Sequence, residues 1–244
     1  MRRIAFIGLI VFSTFGFKQS KNYELLISSK GSEFKNLVLN FYDSLQIDSA
    51  EISKEAFYFA VKGYFHLNNI NKLKKTRFLS IIDYSKSCNH ERFYTIDMEN
   101  QKLVFCELVA HGQKSGEEFS TRFSNSYRSH KSSIGFYLTG STYYGRHNYS
   151  LKLYGLDKGY NSNAFSRGIV IHGAKYVSHN YISWNKRIGR SFGCPAVNQK
   201  VHKELINTIQ GGSCLFAYYP NKFYLENNPI LNQEVYLPKD KLFN

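Results

Sequence analysis

Arg167-Gly168-Ile169-Val170-Ile171-His172-Gly173 and, after a connection, Gly189-Arg190-Ser191-Phe192-Gly193-Cys194-Pro195-Ala196-Val197 form the stretch on which the reading of this chain turns. Ile169-Val170-Ile171 is a β-branched run, which favours a strand, and it delivers His172 at its end. Gly173 lets a second backbone come close. Pro195 fixes its own φ and restricts Cys194 to extended backbone. Gly193 removes a side chain from the approach to the thiol. A cysteine mounted this way suits a nucleophile whose neighbouring N–H groups receive an oxyanion, so Gly193 and Cys194 are read together. A free thiol is mostly protonated at neutral pH and needs a base. His172 is the natural partner. Its other ring nitrogen needs an acceptor, which must be a backbone carbonyl or a distant side chain because Gly173 has none.

Blander readings stand beside this one. A free cysteine is often a small buried hydrophobe, and a strand histidine is often a satisfied core residue. With Cys194 set aside, Cys88, Cys106 and Cys214 leave room for one disulfide and one spare thiol. A zinc site from His172, His179 and Cys194 fits no common ligand spacing. His111-Gly112 is a second His-Gly and competes for the role of base. His172 ranks first because it lies closer to Cys194 in sequence and follows a better strand.

Working outward, 77–220 reads as many short strands with few helices. Phe78–Tyr84 is strand-like. Arg92–Asp97 and Lys102–Val109 flank Met98–Gln101 as a hairpin would, and Ile134–Leu138, Ser150–Tyr154 and Leu215–Tyr219 are further strands. Gly140 to Asn148 reads as turn and loop, and Val201–Ile209 as a short helix. The fold class is mainly β, a mixed β-sandwich or barrel with short helices. An N-terminal two-helix segment (21–76) precedes it: Phe34, Leu37, Val38, Phe41 and Leu45 recur at helical spacing, and Ser53 caps a second helix beginning near Glu55. The tail, 221–244, reads as an extended wrap.

Hydrophobic residues make up 43% and charged residues 20% of the 244, enough for a core, which excludes a chain disordered throughout. The absence of Cys-x-x-Cys argues against a zinc ribbon or a thioredoxin-type site. Lys and Arg total 32 against 18 Asp and Glu, a net charge of +14. The densest basic cluster, Lys72, Lys74, Lys75 and Arg77, is local, and no nucleic acid is expected as partner. Arg2-Arg3, the apolar run Ile4–Phe17 and the polar Lys18-Gln19-Ser20 have the layout of a secretory signal peptide over 1–20. Export follows as an expectation, to a periplasmic or cell-envelope location, with no transmembrane helix in the mature chain. An anionic cell envelope is then the partner that the basic charge suits.

The two quoted segments resemble the L,D-transpeptidase (YkuD-like) catalytic domain of murein-crosslinking enzymes, and most of all the murein L,D-transpeptidase branch in which the motif ends Gly-Cys-Pro. The resemblance extends more loosely through Val109-Ala110-His111-Gly112 and Ser132–Leu138 and covers about 77–220. It implies a nucleophilic Cys194, a base in His172, and thioester chemistry on peptidoglycan stem peptides with no metal or organic cofactor. Two departures stand out. Phe192 replaces a frequent histidine, and Pro195-Ala196 replaces a frequent arginine after the cysteine. Holding an anionic substrate then falls to Arg190 and Arg167, with Ser191, Phe192 and Asn163 beside them. Asn161, Tyr143, Tyr144 and Arg146 are further groove candidates, and the loop carrying Trp184 and Lys186 is either a lid or a plain connection. An L,D-carboxypeptidase using water as acceptor and an inactive envelope-binding protein are the alternatives.

Overall fold

The computed structural model describes residues 26–28, 31–45 and 52–238. The expected signal peptide at 1–20 lies outside the described residues, as does the end of the tail, 239–244.

Two helices open the fold, α1 (Ser32–Ser44) and α2 (Lys54–Asn69). Ser53 caps α2 as its position predicts, its side chain accepting from the Ala56 N–H at 3.0 Å. Ala56, Phe57, Ala60, Val61, Tyr64 and Leu67 form the buried stripe. Gly63 interrupts that stripe for a reason: a Cβ there would collide with the Phe136 ring.

The strands after α2 are β2 (Phe78–Asp83), β3 (Phe93–Asp97), β4 (Lys102–Glu107), β5 (Val109–Ala110), β6 (Gly135–Gly145), β7 (Asn148–Gly155), β8 (Val170–Ala174), β9 (Ala196–Asn198) and β10 (Cys214–Tyr218). They make one nine-stranded sheet in the order β4-β3-β2-β10-β6-β7-β8-β9-β5. The β2–β10 and β8–β9 pairs are parallel and the others antiparallel. The two outer strands of this order, β4 and β5, are separated in sequence by Leu108 alone, so the sheet curls until it nearly closes. Arg92, fully buried, stitches this seam by donating from Nε and Nη2 to the Val109 carbonyl and from Nη1 to the Lys86 carbonyl. The fold is therefore mainly β, mixed and barrel-like.

Both faces of the central strands are buried, which is why they read as continuous apolar runs. Leu79, Ile81, Phe136, Phe216 and Tyr218 face α1 and α2. Their alternates Phe78, Ile82, Tyr137, Leu215 and Ala217 pack with β7, β8 and the helix α4 (His202–Ile209).

The structure departs from the sequence reading in three places. Gly140 to Gly145 is not loop but the second half of β6, which continues past a register shift between Thr139 and Thr142; only Arg146-His147 turns. The helix α3 (His179–Asn185) occupies the connection between His172 and Cys194. The tail is not an extended wrap: it forms α5 (Lys222–Asn227) and α6 (Pro229–Asn232). Among the described residues of the tail, β11 (Tyr236–Pro238) is the one strand, paired with β1 (Leu26–Ser28). Asp157 ties the tail down, accepting from Tyr224 Oη, Asn228 Nδ2 and the Phe136 N–H.

Candidate active site

Val170 and Ile171 of the β-branched run open a strand, β8, which continues to Ala174, and parallel pairing sets His172 opposite Ala196 on β9. β9 is also paired on its other side, with Ala110 opposite the same Ala196. The segment carrying the thiol is thereby held between two strands that each lead into a His-Gly step.

His172 is 2% exposed. Its Nδ1 lies 3.1 Å from the Gly173 carbonyl and donates to it, the backbone acceptor that the missing side chain at 173 required. Among the described residues Nε2 has no partner. The His172 ring stacks on His147, centroids 4.1 Å apart and planes at 17°. Burial pushes its pKa down to about 4, with His147 and His202 acting in the same direction and the Gly173 carbonyl against it. The ring is neutral at pH 7 and able to accept a proton.

Gly193 sits at φ +119°, and a Cβ there would press on the Lys131 carbonyl, so the position demands glycine. Ser191 braces the turn: its Oγ donates to the Cys194 carbonyl at 2.6 Å and accepts the Gly193 N–H at 3.0 Å. Ser132 Oγ donates to the Gly193 carbonyl from behind. Among the described residues no acceptor meets the N–H groups of Phe192 and Cys194.

Cys194 is 9% exposed and packs at the edge of the barrel interior. Its Sγ accepts the Val170 N–H at 3.5 Å, and the thiol donates to the Gly168 carbonyl at 3.6 Å. Burial raises its pKa, opposed by the Val170 N–H and by Arg167. Thiol and imidazole share neighbouring segments but are not hydrogen-bonded to each other. Both groups are therefore neutral at rest, unlike a preformed thiolate–imidazolium pair.

The remaining candidate residues hold the frame. Arg167 donates to the Ser124 and Lys131 carbonyls and to Ser129 and Ser133 Oγ, clamping the loop that backs Gly193. Arg190 donates to the Gln113 and Gly116 carbonyls and pairs with Glu117 at 2.6 Å. Asn163 bonds through its N–H and Nδ2 to Asn125, and Asn161 braces Asp157 and Phe136. Gly173 packs against the His202 ring. Phe192 is 60% exposed and stacks on His130. His111 is fully buried with both nitrogens occupied: Arg92 donates to Nδ1 at 2.8 Å, so Nε2 carries the proton and donates to the Gly116 carbonyl.

Cys88, Cys106, Cys194 and Cys214 are all free thiols. His179 pairs with Glu91 at 2.8 Å. Among the described residues no three His, Cys, Asp or Glu side chains converge as a metal centre requires, and no helix is long and apolar enough to cross a membrane. Sequence reasoning passed over His147, Ser132 and His202 as parts of the site. Their partners are distant in the chain, and no spacing signals them.

The barrel-like sheet carries a glycine-braced cysteine on the segment before β9 and a buried histidine on the neighbouring strand β8, and comparison supplies the family. A family model described as the L,D-transpeptidase catalytic domain matches residues 48–218. The chain belongs to the L,D-transpeptidase catalytic domain family. Among solved structures, it resembles the L,D-transpeptidase from Xylanimonas cellulosilytica (16% identity, TM-score 0.33, covering 57% of this chain and 59% of that one). Others are the L,D-transpeptidases from Mycobacterium smegmatis (8%, 0.38, 59% of each chain) and from Stackebrandtia nassauensis (14%, 0.36, 75% and 76%). The match spans 59% of the length of the first two. No curated protein matches in sequence.

Proposed function

We propose that the chain is an exported cysteine acyltransferase that crosslinks peptidoglycan stem peptides. The observation that carries this is the state of His172: Nδ1–H is fixed on the Gly173 carbonyl and Nε2 is free, on the strand beside the braced Gly193-Cys194 turn. Cys194 Sγ attacks the carbonyl carbon of a stem-peptide residue while His172 Nε2 takes the thiol proton. The tetrahedral oxyanion lies toward the Cys194 and Phe192 N–H groups, the Gly193 N–H being engaged with Ser191 Oγ. The intermediate collapses with loss of a terminal D-amino acid, whose amine receives the proton from His172. An amine of a neighbouring stem then attacks the thioester, gives its proton to His172 and releases the thiol. Because thiol and imidazole start neutral, the proton moves only as substrate arrives, and the thiol must first leave its Val170 and Gly168 contacts. The leader at 1–20 suits export, and the excess of Lys and Arg that remains without it suits work at an anionic envelope.

The test is incubation of the pure protein with tetrapeptide muropeptides. Crosslinked dimers are the expected product; shortened monomers would identify a carboxypeptidase. A thiol-acylating β-lactam should leave one adduct on wild type and none on Cys194→Ala. No adduct on wild type, or equal adducts on both, rejects the proposal.

A further inference from the structure

The tip of the β6–β7 hairpin reaches the base. Asn148, at φ 59°, lets Arg146-His147 turn tightly. The turn lays the His147 ring on that of His172, 4.1 Å away and 17° from parallel. His147 is itself exposed on its outer side, so it is not a core residue that happens to touch a neighbour. The bond from His172 Nδ1 to the Gly173 carbonyl fixes one direction within the imidazole plane. A single hydrogen bond leaves the ring free to tilt about that direction, and a flat neighbour at stacking distance removes this freedom.

We propose that His147 is the positioning residue for His172: its ring holds the imidazole plane, keeps Nε2 presented to the reacting thiol, and covers the base against water. The proposal rests on the reading of His172 as the base.

The groups around His172 are consistent with this. The hairpin contributes His147 and Arg146. From α4 His202 packs on Gly173, and from β7 Ser150 lies opposite His172. Among the described residues no carboxylate acts on the imidazole, while His147 and His202 oppose its protonation in addition to burial. Burial and Arg146 lower the His147 pKa as well. Two neutral rings stack without penalty, whereas protonating both would set like charges at stacking distance.

The experiment compares His147→Ala and His147→Phe. It reads kcat and KM for acyl transfer and the titration of the His172 ring by NMR in the resting protein. His147→Ala is expected to lower kcat by about tenfold or more with KM within about twofold, since small misplacement of a base is costly. The His172 titration should move up toward its ordinary value. His147→Phe, a flat ring without charge, should recover kcat to within about threefold. An unchanged kcat and an unmoved His172 titration in His147→Ala overturn the proposal, and so does a His147→Phe as impaired as the alanine variant. A wild type without acyl transfer would sink the enzymatic reading; the NMR titration would still decide whether His147 controls the ring.

Discussion

Two His-Gly steps flank the thiol segment, His111-Gly112 beyond β5 and His172-Gly173 within β8, and they have opposite fates. Both histidines are buried and both are held neutral. At 111 the cause after burial is Arg92, whose guanidinium occupies Nδ1 while Gly116 takes the proton on Nε2. At 172 only Nδ1 is engaged and Nε2 stays open. Burial and neutrality do not separate a strut such as His111 from the proposed base, His172; the count of satisfied ring nitrogens does.

The comparison can be broken in four ways. Cys194→Ser sets the floor: acyl transfer should fall by roughly a thousandfold or more, as when an activated nucleophile is lost. A fall of only a few-fold, measured on muropeptides, would remove the thiol from the chemistry. Next, His172→Gln should cost about a hundredfold or more in kcat, while His111→Gln should hold kcat within a few-fold and lower stability by about 1–3 kcal/mol in denaturant melts. The reverse ranking would show that the strut and the base have been interchanged.

The glycines sharpen the contrast. A Cβ at Gly112 would run into the backbone of His130, Lys131 and Ser132, which cannot yield, whereas the atoms nearest to one at Gly173 belong to the His202 ring, a side chain. Gly112→Ala is expected to cost about 1–3 kcal/mol, and Gly173→Ala less than that. Equal midpoints in urea would contradict the difference.

The last contrast concerns pH. The His111 pKa is pushed down to about 3, so between about 6.5 and 3 the unfolded chain binds a proton that the folded one refuses. Its contribution to stability therefore falls as pH drops through that window. Asp83 and Asp157, raised by burial, act with the opposite sign. The clean measurement is thus the difference between wild type and His111→Gln from pH 7 to 4. That difference should shift against wild type on acidification; a constant difference would show that His111 titrates normally.

Much of this architecture is legible in local chemistry. The Ser53 cap, the β3–β4 hairpin and the strand into His172 all follow from adjacent residues. The second half of β6 escaped because Gly140 and Gly145 mimic a loop, while a register shift and the Tyr144–Tyr149 pairing carry the strand on. Helix α3 buries no residue and so has no apolar period to read, though its Ser178 cap is present. In the tail, Asn221 caps α5, and Asn228 before Pro229 starts α6; both are recognisable start signals that a polar composition obscured. Within the site, the glycine-then-cysteine turn and the strand carrying His172 were readable, since glycine, proline and β-branched residues mark them locally. The partners of Arg167 and the ring over His172 are brought together only by the closed sheet.

That closure also sets a schedule. The strip from Lys102 to Ala110 must join β3 on one flank and β9 on the other, so the last strands of the chain wait for a seam laid down much earlier in the sequence. Contacts this distant form slowly. Until that seam is made, Cys194 is an ordinary solvated thiol; the burial that raises its pKa comes with the finished fold.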